Sequence, residues 1–176
     1  MIGFMGVGKT AVGRYLAAVL NRRFVDVDLE VERVTGLGIP EIFARYGEPR
    51  FREEEARALA RVCRHRGQVI ATGGGAVLRP ENAEALRRAG VVVWLRADPE
   101  AIYRRVGPGG GRPLLAGANA RERIRELLAQ REPCYRACAH MAVDTTGRSV
   151  EEVAAEIVRR LGFAGEAAPV EKEEKR

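Results

Sequence analysis

Gly3-Phe4-Met5-Gly6-Val7-Gly8-Lys9-Thr10 matches the phosphate-loop pattern G-x-x-x-x-G-K-[ST] at every fixed position. The pattern has a physical basis. Small residues let successive backbone N–H groups point at one anion, and the helix that follows adds the positive end of its dipole. Gly6 and Gly8 supply the permissive backbone, with Val7 between them and Ala11 opening the helix. Lys9 brings an ammonium to the β- and γ-phosphates, and the Thr10 hydroxyl is a hard oxygen ligand suited to Mg²⁺. The following stretch, 11–21, places Val12, Tyr15, Leu16, Val19 and Leu20 at helical spacing. Only Met1 and Ile2 precede Gly3, whereas such a loop ordinarily follows a buried strand of about five residues. The expectation is a sequence that starts late, with its first strand cut short.

The 176 residues, 46% of them hydrophobic, suffice for one domain with a proper core. No apolar run is long enough to span a bilayer and no secretory signal opens the chain, so a cytoplasmic address is expected. Cys63, Cys134 and Cys138 lack C-x-x-C spacing and read as reduced, buried thiols and not as metal ligands with His140. The charge of +6 comes almost entirely from arginine, since lysine occurs only at 9, 172 and 175. Those arginines are dispersed and often sit beside glutamates, as in Arg52-Glu53-Glu54-Glu55, and no aromatic platform accompanies them. Nucleic acid is therefore not expected as a partner, nor is a membrane.

Downstream, Arg23-Phe24-Val25-Asp26-Val27-Asp28 reads as a buried strand ending in two acids on one face. In open α/β sheets the carboxyl ends of strands form the binding crevice, so both acids are candidates to face ligand. A plainer reading makes Asp28 the N-cap of a helix over 29–34. From 29 to 66 the pattern is helical, interrupted at 36–40 and 46–49, which is more helix than one crossover needs. A substrate-binding insertion accounts for the surplus. Gln68-Val69-Ile70-Ala71-Thr72 is a second buried strand, and Gly73-Gly74-Gly75 at its carboxyl end exposes backbone N–H groups to an anion or ring. A helix over 80–89, a strand over 91–95 and a helix over 99–106 come next. Residues 107–118 form a glycine-rich lid carrying Arg112, and a long helix over 120–137 bears Arg131 and Arg136. A strand over 139–144 and a helix over 150–161 complete the domain, 1–162, and a disordered charged tail occupies 163–176.

In this order and spacing the phosphate loop, Asp26-Val27-Asp28, Phe51-Arg52-x-x-Glu55, Gly73-Gly74-Gly75, Arg112-Pro113-Leu114-Leu115 and Tyr135-Arg136 resemble the shikimate kinases. The resemblance covers residues 3–161. It implies a three-layer α/β/α phosphate-loop fold with a five-stranded parallel sheet. It also implies transfer of the γ-phosphoryl group of ATP to the 3-hydroxyl of shikimate, by a monomer. By the same resemblance Gly6, Val7, Gly8, Lys9, Thr10 and Ala11 hold ATP, with Arg105 and Arg148 flanking adenine. Thr10 holds Mg²⁺ directly and Asp26 through water. Asp28 orients the attacking hydroxyl. Arg52, Arg136 and the Gly73–Gly75 backbone take the shikimate carboxylate, and Arg112 stabilises phosphate. Lys9, Asp28 and Arg112 are the catalytic set. Competing readings are a gluconate or nucleoside monophosphate kinase of the same fold group, and a nucleotide-binding module without turnover.

Overall fold

The computed structural model describes residues 1–107 and 119–162. Parallel pairing joins β1 (Arg23–Asp26) to β2 (Gln68–Ala71), and β3 (Val93–Arg96) to β4 (Met141–Asp144). Between the pairs lie Met1 and Ile2. The Met1 amine donates to the Ile70 carbonyl and its carbonyl accepts from Thr72 N, while Ile2 N donates to Val93 O and Leu95 N to Ile2 O. Two residues thus hold the central place of a five-membered parallel array, β1-β2-(Met1–Ile2)-β3-β4, and the expected short first strand is still a working seam.

Helices cover both faces. α1 (Lys9–Val19), α5 (Pro99–Val106) and α7 (Val150–Leu161) enclose one core with Phe4, Val12, Leu16, Leu95, Ile102 and Ile157. α2 (Val27–Thr35), α3 (Ile39–Val62) and α4 (Pro80–Ala89) enclose the other, around Ile2, Val31, Leu59, Trp94 and Tyr135. α6 (Ala120–Cys138) gives Ile124 and Leu127 to the first core and Tyr135 and Cys138 to the second. Each buried side chain here removes apolar surface from water on the order of 25 cal/mol per Å².

Local sequence explains the boundaries. α1 stops where Asn21 takes a left-handed φ of 48°, a conformation asparagine tolerates better than most residues. α3 breaks at Gly47, whose φ of 77° and ψ of 173° lie outside the helix basin, which agrees with the interruption expected over 46–49. α7 opens on a capping box in which Ser149 and Glu152 satisfy each other's backbone N–H groups. Several boundaries differ from expectation, and β3 and β4 each begin two residues later than the strands expected from 91 and 139. The first complete strand ends at Asp26, not Asp28, because Asp26 Oδ1 accepts from Asp28 N at 3.1 Å and caps α2 itself. Asp28 therefore sits in the first turn of a helix and shares no strand face with Asp26.

Candidate functional site

The carboxyl edge of the sheet gathers the loop of residues 3–10, the Asp26 turn and the glycine run. α1 has no side-chain cap at Gly8, so its leading N–H groups are left to the loop's own purpose. Lys9 Nζ donates to Phe4 O at 2.8 Å, which folds the ammonium back across the loop. Thr10 Oγ1 donates to Asp26 Oδ2 at 3.0 Å, so these two hard oxygens from α1 and β1 already share one place. That donor set fits a divalent cation that keeps several of its waters. No cluster of three or more acidic, histidine or cysteine side chains suited to a metal occurs among the described residues.

Arg105, from the end of α5, reaches Gly6 O at 3.4 Å and Thr145 Oγ1 at 2.9 Å, tying the loop to the turn after β4. Arg148 lies beyond that turn, bonded to Asp144 O at 3.0 Å and paired with Glu156 at 2.6 Å. Arg112 lies outside the described residues.

A second group of charges lies beside the glycine run. A Cβ on Gly73 would collide with Glu55 Oε1 and Asp28 Oδ1, so both carboxylates face the same glycine. A Cβ on Gly75 would stand 2.5–2.7 Å from the guanidinium of Arg52, closer than any side chain permits. Arg52 donates from Nη1 to Glu55 Oε2 at 2.8 Å and from Nη2 to Glu48 Oε1 at 2.8 Å. Glu55 is 0% exposed, and burial pushes its carboxyl above the usual range against the pull of Arg52. Burial works against the Arg52 charge too, but Glu55 and Glu48 outweigh it and hold the guanidinium above its ordinary range.

The second arginine of this group is not the one expected. Arg136 is 70% exposed and pairs with Glu132 at 2.6 Å on the outer face of α6, so the structure does not bring it to the glycine run. Arg131 is there instead, 5% exposed, with Cζ 5.6 Å from the Phe4 ring centroid and in electrostatic reach of Glu55 and Tyr135. The reason is helical period. Ile124, Leu127, Arg131, Tyr135 and Cys138 are the buried positions of α6, at spacings that keep one stripe, and position 136 falls off it. Tyr135 Oη donates to Gly74 O, and its ring stacks on Trp94 with centroids 5.8 Å apart. Arg131 and Tyr135 both stand in the helix expected over 120–137. The inward stripe was the signal that would have chosen between the arginines.

The site is thus divided. An anion cradle with a cation-binding pair lies on one side, and on the other lie two arginines, two carboxylates and a glycine turn suited to a small hydroxylated acid. The shikimate kinase family model matches residues 5–162. The shikimate kinase of Symbiobacterium thermophilum is 51% identical over 168 residues, covering 94% of this chain and 97% of its own. That of Pelotomaculum thermopropionicum is 48% identical, covering 92% and 93%. The structure of shikimate kinase from Acinetobacter baumannii in complex with shikimate superposes with a TM-score of 0.89 at 39% identity, covering 93% of this chain and 92% of that one. The Aquifex aeolicus shikimate kinase gives a TM-score of 0.78 at 32% identity, covering 93% and 94%.

Proposed function

The chain belongs to the shikimate kinase family, and on that premise we propose how its own residues carry out ATP-dependent phosphorylation of the shikimate 3-hydroxyl. The observation that carries the reading is the pair of arginines at one glycine turn. Arg52 and Arg131 both stand out of bulk water there, and Asp28 lies against the same turn beside the phosphate loop.

Loop N–H groups, the α1 terminus and Lys9 are placed to bind the triphosphate, and Thr10 would hold Mg²⁺ directly with Asp26 reaching it through water. When bound, that ion neutralises charge on the phosphate oxygens. Arg52 and Arg131 take the carboxylate of shikimate. Arg131 fills the role first given to Arg136. Each arginine's fork matches a carboxylate, and an acceptor without one would forgo charge-assisted bonds to both, which is where selectivity arises. Asp28 accepts hydrogen bonds from the ring hydroxyls and aims the attacking oxygen. A loose phosphoryl-transfer transition state needs little deprotonation of the nucleophile, so Asp28 contributes mainly by orientation. Glu55 binds no substrate in this scheme and holds Arg52 at its angle. Arg112 is assigned to phosphate on the family pattern alone, as are Arg105 and Arg148 to the adenine end. We further assign the enzyme to the cytoplasm and to a monomeric state.

The test is a coupled assay of ADP formation with Mg²⁺-ATP and shikimate, beside gluconate, nucleoside monophosphates and a control without acceptor. Shikimate-dependent ADP release is expected. Release with another acceptor and none with shikimate would replace the reading, and ATP binding without any transfer would point to a non-catalytic module.

A further inference from the structure

Arg131 has left water, and its Nε is buried with no hydrogen-bond partner among the described residues. A planar fork on a long stem needs neighbours to fix its angle. Two are in place. The Phe4 ring lies against the guanidinium, and Tyr135, one turn further along the buried stripe of α6, lies within electrostatic reach of it. A phenol has one hydrogen, and Tyr135 spends it on Gly74 O, so toward Arg131 the phenol presents only an acceptor oxygen. Burial raises the phenol to about 12, so the proton remains through the neutral range. The stack on Trp94, 28° from parallel, fixes where the hydroxyl can be.

We propose that Tyr135 is a positioning residue for the substrate carboxylate, its one hydroxyl fixing both the Arg131 guanidinium and the peptide that joins Gly74 to Gly75. The inference rests on the shikimate-kinase reading of the same site. A trans peptide is planar, so a carbonyl turned toward Tyr135 turns the Gly75 N–H the opposite way. Arg52 lies against that same glycine. One oxygen atom therefore sets the aim of a side-chain donor on α6 and of the glycine turn that Arg52 packs on. Remove it and the ring, the stack and the fold remain, while the two halves of the carboxylate clamp are released from each other.

The test is Tyr135→Phe, assayed with shikimate and with its methyl ester, which keeps the ring hydroxyls and lacks the anion. The expected result is a rise of about tenfold in KM for shikimate, the loss of one hydrogen bond to a charged group. KM for ATP and kcat should stay within about twofold, since neither reads the clamp. The preference of the wild type for shikimate over the ester should shrink by a similar factor of about ten. Thermal melting of the variant, with and without saturating shikimate, checks that it is folded and gives a second reading, a smaller ligand-induced rise in Tm. An unchanged ester preference, or equal losses toward shikimate and ATP, overturns the positioning role. If the wild type itself transfers nothing to shikimate, the parent reading falls. An active wild type with a variant that keeps the full preference for shikimate over the ester overturns the role of Tyr135 alone.

Discussion

A guanidinium held at 5% exposure is there because something anionic is meant to meet it, whereas one at 70% exposure has water for company. Arg131→Ala should therefore raise KM for shikimate by about tenfold or more, and Arg136→Ala should leave it within about twofold. Steady-state kinetics on the two variants, side by side, decides between them. Lys9→Ala should cut kcat by a factor on the order of 10²–10³ with the melting temperature little changed, because Lys9 sits on the loop surface and not in either core. A large drop in Tm instead would make Lys9 a structural strut for the Phe4 carbonyl. At this scale Lys9 and Thr10 stand in a pattern whose neighbours declare a job, whereas Arg52 among its glutamates declares none and is assigned only through the resemblance. The inward arginine was not legible, since two arginines five positions apart look alike until the helix is given a phase.

The turn from β1 into α2 compresses two tasks into one carboxylate. Asp26 Oδ1 caps the helix while Oδ2 receives the Thr10 hydroxyl. Substituting alanine removes both, so Asp26→Ala should lose about 1 kcal/mol of stability together with most of the activity. Asp26→Asn retains a capping oxygen and loses only the charge. It should melt close to the wild type while kcat falls and the Mg²⁺ requirement rises. Equal melting temperatures for the two variants would remove the cap from the account. This element shows why the sequence reading stopped short. Either acid in Asp26-Val27-Asp28 satisfies a capping rule, and the choice is made by where the β1–β2 ladder ends, a tertiary fact. The break at Gly47 was readable beforehand because glycine and proline act locally. The lid assigned to 107–118 and the tail at 163–176 lie outside the described residues, apart from Gly107.

Across the whole molecule, the sheet is held together at its middle by two residues, one of which carries the amino terminus. Burial, and then the Lys9 charge, lower the Met1 amine from 8.0 to about 5. The folded protein thus keeps the amine neutral where the unfolded chain would protonate it. This contribution to stability is complete above pH 8 and is lost as pH falls toward 5. The slope is about 1.4 kcal/mol per pH unit, or about 4 kcal/mol over the window. Urea melts from pH 5 to pH 8 should show it, and an N-acetylated chain, with no amine to titrate, should lose that part of the slope. Identical slopes for the two chains would assign the acid sensitivity elsewhere. The alternation of strands and helices was legible from apolar runs and capping signals, and the three-layer plan from the resemblance. The seam was not, because nothing in Met1-Ile2 says that two residues can bridge β2 and β3. The bridge also orders assembly. Met1 and Ile2 cannot complete their pairing until Val93 and Leu95 exist, so the seam waits for a stretch on the order of ten seconds of synthesis. The phosphate loop that leads out of that seam is therefore locked in place only once β3 has been made.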